Sequence, residues 1–174
     1  KAWVLMVVAS HPMPAFDVDG PIGKLTRKMA TSSWFRKVGP KVVPPMDRTL
    51  HKLTGGRIIV SKMMVPSMVL TTTGVKSGLP RESPLACVPD GDGGWWVVGS
   101  NFGQEKHPAW TGNLIADPNA GVSFEHKTTP VLAHLLTDDE KAETWPKLIA
   151  VWPAYNDDVK SSGRNLRVFH LTPA

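Results

Sequence analysis

The chain has 174 residues, 41% of them hydrophobic, with 20 Lys or Arg against 15 Asp or Glu and a net charge of +5. That length suits a single domain with a core built without disulfides; one cysteine, Cys87, excludes an intrachain bridge and fits a reducing, cytoplasmic compartment. No apolar run approaches the roughly 20 residues of a membrane-spanning helix, and the basic excess lies at one end, with 10 basic and 3 acidic residues in 1–57 (+7) against 10 and 12 in 58–174 (−2), which argues for a local basic patch and against nucleic acid as a partner.

Residues 1–20 read as an irregular leader, in which "AWVLMVVA" is too short for a span and no convincing cleavage site follows. From Pro21 the pattern is helical, with Ile22, Leu25 and Met29 on one stripe and Lys24, Arg27 and Lys28 off it. Pro44 and Pro45 break that helix. Met46, Leu50 and Leu53 then mark a second one, which Gly55 and Gly56 stop. These basic amphipathic helices occupy residues 21–56. With Trp34 and Phe35 beside Arg36 and Lys37, they predict peripheral contact with an anionic membrane on its inner face. A solvated cover over the following domain is the plainer alternative.

Residues 57–174 change character and predict one domain. "RIIVS" and "MVLTTT" are β-branched and strand-like, "GVKSGLPR" is a loop and "ESPLACV" a strand. "PDGDGG" is a hairpin turn and "WWVVGS" its return strand. "HPAWTGNLIAD" reads as a helix with Pro108 as its first residue, ended by turn chemistry at "PN". "AGVSFE" and "TPVLAHLL" form a hairpin across "HKT". Thr137 and Glu140 make a capping box for a helix over "DDEKAETWPKLIAVW", which Pro146 is expected to kink or restart and Pro153 to end. "NLRVFHL" is the last strand. About six mostly antiparallel strands with a few helices, and no alternating βαβ pattern, predict an α+β small barrel rather than a Rossmann domain.

The loop in "TTTGVKSGLPRESPL" has the chemistry of an anion cradle. Gly74 and Gly78 allow a close backbone turn, Lys76 supplies a point charge, and Arg81, set by Pro80, supplies a planar fork for phosphate or carboxylate. A solvated loop with two ordinary surface cations is the alternative. It is not a nucleotide P-loop, which needs G-x-x-x-x-G-K-[ST] opening a helix. Nor is "GSNFG" a nucleophile elbow, which centres a serine in G-x-S-x-G. No paired cysteines and no H-E-x-x-H support a metal site.

Three blocks, "LTTTGVKSGLPRESPL", "VVGSNFGQEKHPAWTGNL" and "WPAYND", in this order, resemble the signature of the deazaflavin-dependent nitroreductase family, mycobacterial and other actinobacterial oxidoreductases that use coenzyme F-420. The resemblance covers about residues 40–174. It implies a split β-barrel of the flavin-reductase, FMN-binding type. It implies coenzyme contacts at Val75, Lys76, Ser77, Gly78, Leu79, Pro80, Arg81, Ser83, Pro84 and Leu85, with the phosphate and oligoglutamate tail on the cationic loop and its backbone. Val75 departs from the pattern, since many members carry arginine there. The deazaflavin ring would meet Gly99, Ser100, Asn101, Ala109, Trp110 and Asn113, although Trp110 also reads as core and His107 as a surface or capping residue. Trp152 and Tyr155 would line the substrate pocket. Tyr155 or Ser100 would donate to the acceptor, and Asp158 stands where some members have a further tyrosine. The implied activity is hydride transfer from reduced F-420 to a quinone, an activated alkene or a nitroaromatic. An FMN-dependent enzyme on the same barrel, or a non-catalytic coenzyme-binding protein, are the alternatives.

Overall fold

The computed structural model describes residues 65–174. The leader, the two basic helices with their membrane contact, and the strand "RIIVS" lie outside the described residues. Seven strands make one antiparallel sheet: β1 (Ser67–Thr73), β2 (Pro80–Ala86), β3 (Val88–Pro89), β4 (Trp95–Val98), β5 (Asn119–Phe124), β6 (Lys127–Leu135) and β7 (Val168–Pro173). Their spatial order is β2-β1-β5-β6-β7-β4-β3. The two outer strands are one stretch of chain bent at Cys87. Its first half pairs with β1, from Thr73 opposite Pro80 to Ser67 opposite Ala86, and its second half with β4, at Val88 opposite Trp96. At the bend the Cys87 N–H donates to the Pro66 carbonyl over 2.8 Å. The sheet therefore curls round until its ends meet in a single strand, which leaves little edge exposed.

Alternation along the strands builds two cores. Trp95 and Val97 of β4, with Phe169 and Leu171 of β7, point inward to Met68, Leu70, Trp110, Leu114, Val122 and Val131. Val98 and Val168 point to the other face, where Val88, Leu148, Tyr155 and Leu166 meet them. Burying each such side chain contributes about 2 kcal/mol. Among the described residues three helices serve these cores: α1 (Ala109–Ala116), α2 (Asp138–Val151) and α3 (Ala154–Ser162).

Thr137 and Glu140 form the expected capping box, and Glu140 also meets His134 Nε2 at 3.0 Å. Pro146 does not restart α2, which runs on to Val151 as one helix. Pro108 sits at the N-cap of α1 with extended backbone, one place before the position expected for it. The second hairpin turns at Glu125 and His126, both with positive φ (47° and 67°), so Lys127 and Thr128 already belong to β6. The helix α3 has no counterpart among the expected elements. It starts directly after Pro153, which ends one helix and caps the next.

Candidate functional site

An open groove of about 1030 Å³ lies between α1 and the loop joining β1 to β2. The loop contributes Gly74, Val75, Lys76 and Ser77, the start of β2 contributes Pro80, Arg81, Glu82 and Ser83, and α1 forms the opposite wall. Ala109, Gly112 and Ala116 follow i, i+3 and i+7 along that wall, so one helix face meets the groove for about 10 Å. A Cβ built on Gly112 would have nothing within 4 Å, so this glycine keeps the wall open.

The loop is a self-bonded unit. Gly74 N–H donates to the Leu79 carbonyl (2.9 Å), and the Gly74 carbonyl accepts from Ser77 (3.1 Å) and Gly78 (2.7 Å). Leu79 N–H donates to Ser77 Oγ at 3.3 Å, and Val75 N–H to Asn113 Oδ1 at 3.2 Å. Gly74 has no room for a side chain, since a Cβ would lie 2.8 Å from Ser77 Oγ and 3.2 Å from the Leu79 carbonyl oxygen. Gly78 takes φ +65°, which suits glycine. The amides of Gly74, Ser77, Gly78 and Leu79 are thus bonded within the loop and that of Val75 to α1, so the cradle's charged donors are the side chains. Arg81 is turned by a hydrogen bond to Ser77 Oγ (3.1 Å), while Lys76 stands exposed beside it. Asn113 does its work from within. Its Nδ2 donates to Thr72 Oγ1 at 2.9 Å while its Oδ1 holds the loop, so it fastens β1, α1 and the loop together.

Beyond the start of α1 lies a second structured segment. Gly99 ends β4 with no space for a Cβ, which would come 2.7 Å from Thr111 Cγ2. Asn101, Phe102 and Gly103 follow in a single 3-10 turn, all with left-handed φ (50°, 54°, 70°). For two non-glycine residues that conformation costs about 1–2 kcal/mol each, so the surroundings must impose it. Asn101 Nδ2 donates to the Lys106 carbonyl (2.8 Å), and the turn rests on α3, where Ser161 Oγ donates to the Gly103 carbonyl (3.4 Å). Arg164 holds the same segment from the α3–β7 connection. It donates to the carbonyls of Ser100 (2.7 Å) and Gln104 (2.9 Å), to that of Gly99 (3.4 Å), and to His107 Nδ1 (2.8 Å). Burial, together with the Arg167 and Arg164 charges, pushes the His107 pKa down, so the imidazole stays neutral. The Ser100 hydroxyl makes no capping bond.

The sequence-derived site residues therefore fall into four places. Val75, Lys76, Ser77, Pro80, Arg81, Ser83, Ala109, Trp110 and Asn113 converge on the groove. Gly78 and Leu79 sit at the exposed loop tip, while Pro84 and Leu85 continue β2 away from it, paired with Val69 and Met68. Gly99, Ser100 and Asn101 form the strand end ahead of α1. Trp110 is 5% exposed with its ring 5.7 Å from Phe169, which makes it mainly a core residue. Tyr155 and Trp152 belong to the core under α2 and α3 and are not brought to the groove. Tyr155 is 3% exposed, and burial, with the Cys87 and Asp158 charges adding to it, raises its pKa far above the ordinary tyrosine value, so it stays protonated. Asp158 is buried too; burial pushes the Arg164 pKa down, and the Asp158 charge opposes that shift. Gly112, Ile115, Ala116 and Glu82 also line the groove. The helical period from Ala109 signals Gly112 and Ala116, whereas nothing local signals Arg164.

The family model of the F420H(2)-dependent quinone reductases matches residues 46–173. The chain belongs to that family. An F420H(2)-dependent quinone reductase of Mycobacterium tuberculosis is 32% identical over 124 residues, covering 67% of this chain and 80% of the relative. A second protein of that organism, in the same family by description, is 28% identical over 109 residues, covering 63% of this chain and 91% of its own length. The solved structure of an F420-H2 dependent reductase, FDR-A, superposes with a TM-score of 0.56 at 32% identity, covering 62% of this chain and 94% of that one. The fold is accordingly the α+β split barrel expected, and the protein is an F-420-dependent reductase. Its residues suit such a coenzyme. One end of the groove carries two cations for acidic groups, and Gly112 leaves a flat apolar wall for the remainder.

Proposed function

We propose that this reductase transfers a hydride from reduced F-420 to a quinone, with the coenzyme lying along α1. The observation that carries the reading is the groove itself, cationic at the loop and opened by Gly112 beside it. Lys76 and Arg81 bind the phosphate and the carboxylates of the oligoglutamate tail, and Glu82 limits the net positive charge there. Asn113 keeps the loop at a fixed distance from α1. The bound coenzyme supplies the hydride. The quinone takes up this hydride and a proton, giving the hydroquinone. The Ser100 hydroxyl, at the ring end and uncapped, passes the proton from water to the acceptor oxygen. Tyr155, on α3 and buried in the second core, holds its proton throughout. Activated alkenes and nitroaromatics are further acceptors for the same hydride.

The test is a fluorescence titration of the protein with F-420 beside FMN, followed by turnover with a soluble quinone. Binding of F-420 in preference to FMN, with quinone-dependent oxidation of the reduced coenzyme, is the expected outcome. A preference for FMN moves the protein to flavin chemistry, and binding without turnover with any acceptor makes it a coenzyme-binding protein.

A further inference from the structure

The geometry points to Arg164 as a positioning residue for the ring end of the groove, one that fixes His107 as a neutral Nε2–H donor to the ring-carbonyl edge of the coenzyme. This rests on the functional reading above. An arginine side chain has donors and no acceptor. The 2.8 Å contact between Arg164 and His107 Nδ1 therefore requires Nδ1 to carry a lone pair. A neutral imidazole with Nδ1 unprotonated has its proton on Nε2. The tautomer follows from the partner and needs no assumption about the ring.

The same guanidinium takes the carbonyls of Gly99, Ser100 and Gln104. One side chain thus bonds both ends of the segment from the close of β4 to His107, and it spans the left-handed turn in between. His107 is two residues before Ala109, the first groove-lining residue of α1. A strained turn held by a planar fork keeps one geometry, which a lysine with a single point charge would not reproduce. The groove's anionic demand is met at the other end by Lys76 and Arg81. A neutral donor suits the uncharged carbonyl edge of a ring, and a protonated His107 would be a third cation beside Arg164 and Arg167.

The experiment combines a spectrum with kinetics. Nitrogen-15 histidine spectra of the coenzyme-free protein are expected to show His107 with Nε2 protonated and Nδ1 bare, and Arg164→Met, which removes the donor, to mix the two tautomers. In Arg164→Lys, which keeps a donor but not the planar fork, kcat with a quinone should fall about 10- to 100-fold, while the Kd for F-420 changes less than about 3-fold. His107→Gln, which keeps an N–H where Nε2 lies, should retain at least about tenfold more turnover than His107→Ala. An Nδ1-protonated His107 in the wild type would overturn the inference. So would wild-type kcat in Arg164→Lys, or Gln no better than Ala, and the histidine pair decides if Arg164→Lys does not fold. A wild type that binds no F-420 defeats the functional reading and with it the ring contact, while the histidine spectrum still decides the tautomer.

Discussion

The two sides of this barrel use polar residues in opposite ways. Around the groove the charged ones are exposed and keep bonding capacity in hand. Lys76 reaches solvent, and Arg81 is braced by one hydrogen bond to Ser77. Under α3 they are sealed. Tyr155 and Asp158 are 3% and 4% exposed, and α3 carries the left-handed turn on its surface. The contrast separates binding from support. Removing an exposed, partly satisfied cation costs the fold little and the ligand much. Removing a buried hydroxyl or carboxylate costs the fold first.

The larger effect is expected at the loop. Lys76→Ala with Arg81→Ala should raise the Kd for F-420 about 10- to 100-fold, which is about 1.4–2.8 kcal/mol, and more at low salt than at high salt. The melting temperature should barely move, because both side chains are exposed. Unchanged affinity in a titration at low ionic strength would remove the anion cradle. The smaller effect is expected at Tyr155→Phe. It should lower stability by about 1 kcal/mol, read from a denaturant midpoint, and leave turnover near the wild-type value. A large loss of turnover with intact stability would make the hydroxyl a donor and erase the division between the two sides.

The sequence carries the groove side more openly than the support side. Gly74, Gly78, Lys76 and Arg81 fall within eight residues, and their local chemistry announces a turn that gathers charge. The alternation of β4 and β7 and the Thr137 capping box are likewise written in neighbouring residues. What was not legible comes from long-range contact. Asn113 reaches Thr72 across 41 positions and Arg164 reaches Ser100 across 64. Neither separation leaves a local pattern. The helix α3 was hidden by Pro153, which reads as a stop yet also caps the helix after it. Tyr155 was expected at a pocket by resemblance, but its burial follows from the α2–α3 packing that no spacing rule supplies.

Gly112→Phe, titrated with F-420, tests most directly whether the coenzyme lies along α1. Apart from its own stretch of helix, nothing stands within 4 Å of the added Cβ, so the variant should fold. Helix propensity favours phenylalanine over glycine by about 0.3–0.5 kcal/mol, so stability should hold or rise slightly. A Kd raised more than about 100-fold, roughly 3 kcal/mol, is expected in a protein as stable as the wild type. Wild-type affinity for F-420 in that variant would contradict a coenzyme along α1 and place it elsewhere on the barrel.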